Sequence, residues 1–479
     1  MISKMQIIQK IRVALLLSVA LMAGLSVDAA ERPNIIFMLT DDQRWDDLGA
    51  AGNEVIITPN LDKLAENGTL FSQATVSSPI CMASRATCFL GQTERRHGVN
   101  FSSGRPLKPD AWVNSYPAIL RDHGYQTGFI GKIGIEARFL ATSFDYWKGF
   151  FKQGTYAQSN GQHLTTVIGD QALEFFDKRD KDKNFVLSIS FKAPHFDGKE
   201  GLPSLPQFED LYKDVDIPLR GEEFKKIEKP LVNSFTGPRY VTYYSTPEKR
   251  AETIRKRYRL ITGVDHCVGR IVDALEKYGI SDNTVIIFMG DNGYLTGEHA
   301  MAEKYFMYEE SLRVPLIVYD PRLPENQRSI KSKALASNID IAPTIIDLAQ
   351  LPKPSTMQGE SLMQMIKGKS NGRDAVFCEN LYKARGDLLC DTIRTEKWKL
   401  IEFFNNPEYD AELYNLEKDG NEAVDLIGNP EYALVVEELR AKLQALRVMH
   451  AGHESGWVGG KAVVSRNKGA SGRKNKSEK

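Results

Sequence analysis

The chain has 479 residues, in which 62 lysines and arginines balance 62 aspartates and glutamates. No global charge therefore draws it to nucleic acid or to an anionic membrane, and a charged substrate must be met by local groups. Without its leader the chain still has roughly 450 residues, more than one hydrophobic core supports, which favours a large domain plus a smaller one.

Residues 1–29 read as a secretory signal peptide. Lys4, Lys10 and Arg12 form the basic region, Val13 to Leu25 the apolar run, and Val27-Asp28-Ala29 the small-residue cleavage site. The run is shorter than the ~20 residues that cross a bilayer. The expected product is a protein without a membrane span, exported to the periplasm or the extracellular space.

Short β-rich runs then alternate with helical patterns, which predicts an α/β fold with a large, mostly parallel sheet flanked by helices. Four runs deliver polar residues just past their carboxyl ends: Asn34 to Leu39 into Thr40-Asp41-Asp42, Thr127 to Ile130 into Gly131-Lys132, Phe185 to Phe191 into Ala193-Pro194-His195, and Thr284 to Met289 into Gly290-Asp291-Asn292. In open α/β sheets ligands bind along that edge, so four strands nominate one rim.

Between the first two runs lies Cys81-Met82-Ala83-Ser84-Arg85, with Cys88, Gly91, Thr93 and His97-Gly98 downstream. On residue chemistry alone Cys81 is also readable as a reactive thiol at a helix start, where the dipole lowers a thiol pKa. Five cysteines is an odd count. If Cys81 is chemically used, four remain, and Cys378 and Cys390, flanking two strand-like runs, are the candidate disulfide pair in an oxidising compartment.

Residues 195–250 are rich in prolines, charges and aromatics and suit a lid or substrate loop, or else an ordinary surface excursion. Thr253 to Tyr278 has a helical stripe (Ile254, Tyr258, Ile261, Val264, Val268, Ile271, Leu275) whose expected role is packing. The catalytic domain is taken as 31–367. The smaller α+β subdomain, 368–450, would contain strands Ala375 to Cys378 and Trp398 to Phe403 in an antiparallel sheet, and a helix Glu431 to Leu446. Residues 451–479 are a basic tail, expected to be disordered.

At the rim, Asp41, Asp42, Asp291 and Asn292 offer hard oxygen ligands, suited to Ca²⁺ or Mg²⁺ rather than zinc. Either pair alone is an ordinary turn, but carboxylates crowded on one rim repel unless a cation lies between them. Arg85, Lys132, His195 and Lys304 lie beside it. Each is ordinary as a surface residue, and together they suit a transferring sulfuryl or phosphoryl group. His195 is the candidate proton donor.

These segments resemble the type I, formylglycine-dependent sulfatases of the alkaline-phosphatase-like superfamily. The likeness runs from Arg32-Pro33-Asn34 through the motifs above and Tyr308-Glu309-Glu310-Ser311-Leu312-Arg313-Val314-Pro315 to Glu412-Leu413-Tyr414-Asn415. It implies that Cys81 becomes formylglycine. It also implies that Asp41, Asp42, Asp291 and Asn292 bind one Ca²⁺ together with residue 81, that Arg85 holds the aldehyde hydrate, that Lys132 and Lys304 grip sulfate, and that His195 protonates the leaving oxygen. One hydroxyl of the hydrate would attack sulfur and the other expel sulfate. The resemblance further implies a bacterial carbohydrate sulfatase, for which export and the long 195–250 segment favour sulfated poly- or oligosaccharides over small aryl sulfates.

The chain departs from that pattern twice. Ala83 stands where most relatives have proline, a form similar to sites served by the radical-type maturase. In Lys132-Ile133-Gly134, glycine replaces the histidine usual in the family, and His97 or Glu136 are the candidates to stand in for it. Two other functions remain open: a phosphate or phosphonate monoester hydrolase of the same fold, and a catalytically impaired sulfated-glycan binder.

Overall fold

The computed structural model describes residues 32–101, 107–219, 237–382, 389–404 and 411–451, and the backbone of 457–458 and 461–462. The leader and most of the tail lie outside the described residues. Within the tail, where disorder was expected, Trp457–Val458 and Lys461–Ala462 pair as a short antiparallel hairpin.

The main sheet has eight strands: β1 (Asn34–Thr40), β2 (Thr69–Phe71), β3 (Gln126–Lys132), β4 (Tyr146–Phe150), β5 (Phe185–Ser190), β6 (Thr284–Gly290), β7 (Leu316–Tyr319) and β8 (Ile330–Ser332), in the order β8-β2-β7-β6-β1-β5-β3-β4. Only β7 runs antiparallel to its neighbours. The four strands nominated by the sequence, β6, β1, β5 and β3, are contiguous and parallel. Their polar ends therefore share one edge.

Both faces of that sheet are covered, which is why β1 reads as a continuous apolar run rather than an alternating one. Ile35, Phe37 and Leu39 face a core that includes α1 (Cys81–Leu90) and α5 (Ile341–Leu348). Ile36 and Met38 face α2 (Leu164–Lys178) and α4 (Pro247–Lys277). Helix α4 begins six residues before the predicted start, because Thr246 caps it by accepting a hydrogen bond from the Lys249 amide and Pro247 fits its first turn.

The predicted lid is partly anchored. Tyr212 and Ile217 pack on Ile254, Tyr258 and Ile261 of α4, and α3 (Gly237–Tyr243) precedes α4. Residues 220–236 lie outside the described residues.

A second, antiparallel sheet joins β9 (Ala375–Asn380), β10 (Cys390–Thr395), β11 (Trp398–Phe403) and β12 (Ala411–Asn415) in that order. One face, with Val376, Cys378, Cys390 and Ile401, belongs to the large core. The other carries α6 (Ala433–His450) through Leu439 and Leu443. Buried charges tie this sheet to the large lobe: Glu309 accepts Arg394 at 3.0 Å and Lys399 at 2.9 Å, and Arg95 meets Glu379 at 2.5 Å. The suggested disulfide is absent. Cys378 and Cys390 are free thiols on adjacent strands, with Cys390 opposite Asn380 and Cys378 opposite Thr392.

Candidate active site

Helix α1 is buried along all ten of its residues, with Cys81 in its first turn and Arg85 one turn later on the same face. That geometry aims both residues at the rim of β1 and β6. Arg85 Nε donates to Asp291 Oδ2 at 2.8 Å, Nη1 donates to the Lys132 carbonyl at 2.6 Å and to Ser190 Oγ, and Nη2 lies 3.3 Å from Asp41 Oδ2.

Two lysines reach the Asp41–Asp42 pair. Lys132, the last residue of β3, donates to Asp41 Oδ2 and to Gln153 Oε1 at 2.5 Å. Lys304 donates to Asp42 Oδ1 at 2.5 Å and lies 3.9 Å from Asp41 Oδ1. Asn292 Nδ2 also donates to Asp42 Oδ1, at 2.7 Å, and the Asp42 amide donates to Asp291 Oδ1 at 3.1 Å. The structure thus brings all nine site residues predicted from the sequence into one cluster. His195 alone keeps appreciable exposure, 17% of its side chain, and so marks the side open to solvent.

Charge is distributed unevenly. Burial would raise Asp41 and Asp42, but the lysines, His195 and, for Asp41, Arg85 outweigh it and hold both carboxyls below the usual range. Asp291 is pushed up to about 7 by burial and by the charge of Asp41. The Cys81 thiol is pushed up by burial and by Asp41 and Asp291, more than Lys304 and Lys132 pull it down. An activated thiolate at the helix start is therefore not what this environment favours. Burial lowers His195 to about 3 against the pull of Asp41 and Asp42. Its Nδ1 lies 2.7 Å from the Phe196 carbonyl, which fixes the proton on Nδ1, and Nε2 faces Asp42 Oδ2 at 3.8 Å.

The cluster fits a hard divalent cation. Ligand atoms of Asp41, Asp42 and His195 lie within 4.8 Å of one another. Asp41 Oδ1 and Asn292 Oδ1 are buried without a hydrogen-bond partner. Orphaned oxygens beside crowded carboxylates are what an oxygen-ligated cation satisfies.

Neither suggested stand-in for the missing histidine makes a hydrogen bond or ion pair to the nine residues of the cluster. His97 is half-buried, with Nε2 3.2 Å from Thr87 Oγ1 and Nδ1 accepting from the Val99 amide, and desolvation lowers it to about 3. Glu136 is exposed to solvent. Two residues that the sequence reading missed do support the site. Gln153 holds Lys132, and Arg257 of α4 donates to the Asp42 carbonyl. Gln153 sits in a loop with no motif around it. Arg257 carried one weak signal, an arginine beside the apolar stripe of α4.

A family profile described as Sulfatase matches residues 33–351, and another, N-sulphoglucosamine sulphohydrolase, C-terminal, matches 297–449. The chain belongs to the sulfatase family. As a sulfatase it is a sulfuric ester hydrolase. It is 28% identical to an N-acetylglucosamine-6-O-sulfatase of Bacteroides thetaiotaomicron, over 89% of this chain and 88% of that protein. It is 29% identical to an arylsulfatase of Clostridium perfringens, over 90% and 97%. Among solved structures, this sulfatase is similar to one in complex with its substrate D-glucosamine-2-N,6-O-disulfate, with a TM-score of 0.74, 26% identity, and coverage of 88% of this chain and 98% of the other. A phosphonate monoester hydrolase of Agrobacterium radiobacter, at 21% identity and a TM-score of 0.72 over 88% of this chain and 96% of the other, shares the fold.

Proposed function

We propose that this sulfatase is an exported enzyme that hydrolyses carbohydrate sulfate esters, hexosamine 6-O-sulfates foremost, using Cys81 converted to formylglycine and a Ca²⁺ held by Asp41, Asp42, Asp291, Asn292 and residue 81. The observation that carries the reading is the pair of orphaned oxygens, Asp41 Oδ1 and Asn292 Oδ1, in a buried cluster on which Arg85, Lys132 and Lys304 converge. The sugar is supported by relatives named N-acetylglucosamine-6-sulfatases and by the neighbour bound to a glucosamine disulfate. The leader supports export, and Ala83 supports maturation by a radical-type enzyme.

Calcium would supply fixed positive charge for the sulfate oxygens. The aldehyde, as its hydrate, would supply one hydroxyl to attack sulfur and a second to expel sulfate. The remaining work falls to side chains. Arg85 is braced by three acceptors and an ion pair to Asp41, and orients the hydrate from one side. A lysine ammonium has three protons. Lys304 spends one on Asp42 and Lys132 spends two on Asp41 and Gln153, so each keeps at least one for a sulfate oxygen.

His195 faces the open side, where the alcohol departs. A bound anionic sulfate offsets the burial that keeps its imidazole neutral, and a proton on Nε2 then passes to the leaving oxygen. After that transfer the imidazole is neutral again. With glycine at 134, it is the base available to take the proton of the second hydroxyl, so one histidine serves both half-reactions.

The test is co-expression with a radical-type maturase, mass spectrometry of the Cys81 peptide, and a sulfate-release assay in Ca²⁺ on N-acetylglucosamine 6-sulfate and a set of sulfated saccharides. Release from the converted protein, abolished in Cys81→Ser with saccharide binding retained, supports the reading. Full conversion with no release from any saccharide overturns it. In that event turnover of phosphate or phosphonate monoesters would identify the related hydrolase activity, and saturable binding alone a glycan receptor.

A further inference from the structure

Three aromatic rings from separate regions of the chain stand in series beside the catalytic cluster. Tyr305 follows Lys304 directly, and its amide donates to the carbonyl of Pro79, two residues before Cys81. Its ring stacks on Tyr382 with centroids 5.5 Å apart and planes at 22°, and Tyr382 and Phe101 meet edge to face at 5.9 Å. Both tyrosines are half-buried, and Phe101 is 41% exposed. The row thus rises from Lys304 to the surface.

The arrangement is built rather than incidental. Asn380, buried at the end of β9, donates from Nδ2 to the Tyr305 carbonyl at 2.8 Å and accepts from the Tyr382 amide at 3.0 Å. One amide side chain therefore fixes both stacked tyrosines. Tyr305 also holds φ at +85°, with Glu303 at +83°, a conformation unfavourable for bulky residues. That backbone turns Lys304 inward to Asp42, while Glu303 before it pairs with Arg239 and Tyr305 after it stacks on Tyr382. Backbone strain of this kind persists where the surrounding structure enforces it, typically at ligand sites.

We infer that Tyr305, Tyr382 and Phe101 form a saccharide-binding ladder that seats the carbohydrate leaving group. Tyr305 would contact the sulfated sugar and Tyr382 with Phe101 the sugar linked to it. The chemistry matches: the ring surface that the stack leaves exposed takes the apolar C–H faces of pyranose rings, and the phenol hydroxyls at its rim take sugar hydroxyls. The inference rests on the carbohydrate-sulfate reading. It also gives the second sheet a function, since β9 supplies the clamp.

The test separates the two. Binding of N,N′-diacetylchitobiose, an unsulfated disaccharide, is titrated by NMR against the full-length converted enzyme and its variants. In parallel, kcat and KM are measured on N-acetylglucosamine 6-sulfate and on a disaccharide carrying the same sulfated residue. Tyr382→Ala is expected to weaken disaccharide binding and raise the disaccharide KM by about tenfold, with a several-fold smaller change in the monosaccharide KM. Tyr382→Phe keeps the ring and should behave as wild type. Phe101→Ala, at an exposed position that folding tolerates, should show the same selectivity with a smaller loss. The ladder is refuted if wild type does not bind diacetylchitobiose, if Tyr382→Ala binds it as wild type does, or if mono- and disaccharide turnover fall together. A wild type that releases no sulfate but still loses chitobiose binding on Tyr382→Ala would refute the sulfatase reading and keep the ladder.

Discussion

A Cβ atom on Gly134 would stand 2.7 Å from Cδ of Arg85 and 3.3 Å from its Nε. The space that a side chain at 134 would need is thus filled by the arginine stem, and Gly134 holds φ at +69° as well. Glycine is required there twice over, by contact and by conformation. Restoring the family's histidine therefore should not restore a family-like site. Gly134→His is expected to displace Arg85 from Asp291 and Ser190 and to lower kcat by at least about tenfold, in keeping with the sensitivity of catalysis to misplaced groups. Gly134→Ala should cost about 1–3 kcal/mol of stability from backbone conformation alone. Thermal unfolding and sulfate release measured on both variants decide this, and a Gly134→His enzyme faster than wild type would show that the corner is merely vacant.

Arg257 offers a second prediction. Asp42 is a non-glycine residue at φ +70°, held by its amide on Asp291, by Lys304 and Asn292 on its side chain, and by Arg257 on its carbonyl. Arg257 is itself buried, under the ring of Tyr294 at 4.7 Å and 3.8 Å from Asp47. Shortening the donor in Arg257→Lys keeps the charge beside Asp47 and releases the Asp42 carbonyl. Loss of such supporting contacts lowers metal affinity about 10–100-fold. Calorimetric titration with Ca²⁺ should show that loss in Arg257→Lys at near-normal melting temperature, and an unchanged Ca²⁺ affinity would make Arg257 a packing residue only.

The reason the nine site residues were legible and these two were not is physical. Asp41, Lys132, His195 and Asp291 follow apolar strand runs directly, and a parallel sheet places such ends side by side. Cys81 and Arg85 are one helical turn apart, which periodicity alone resolves. Arg257 and Gln153 act through contacts between segments distant in sequence, Arg257 on Asp42 and Gln153 on Lys132, and local pattern does not encode such distances. The start of α4 was likewise misplaced because the stripe was followed and the Thr246-Pro247 cap was not. The free thiols show the same limit: a plausible spacing of Cys378 and Cys390 says nothing of register, which sets them two residues out of step.

Glu94 should make stability depend on pH in the unusual direction for a carboxylate. It is buried, accepts from Ser78 Oγ and from Asn100 Nδ2 at 2.5 Å each, and is pushed up to about 8 by burial and by Glu379. Its folded pKa exceeds the ordinary 4.5, so between those values the folded state binds the extra proton. Its contribution is fully present below 4.5 and is lost as pH rises towards 8. Glu94→Gln, which cannot ionise, should therefore gain in melting temperature relative to wild type as pH climbs from about 5 to about 8. A difference between the two proteins that is flat across this window, or that shrinks, would place the titration of Glu94 elsewhere.

The thiols give the last prediction. Cys378 and Cys390 lie on adjacent antiparallel strands, but the register pairs Cys390 with Asn380 and Cys378 with Thr392, and neither sulfur is bonded. Complete conversion of Cys81 would leave four thiols, at Cys88, Cys267, Cys378 and Cys390. All four are buried, and burial raises each, Cys267 to about 11 and Cys378 to about 12. At neutral pH almost none is thiolate, the form that reacts with alkylating agents. The native enzyme should therefore resist iodoacetamide over hours, while protein denatured without reductant should take up four alkyl groups by mass spectrometry. Uptake of only two would reveal a disulfide formed on export, and would mean that β9 and β10 shift to bring the two cysteines into bonding distance.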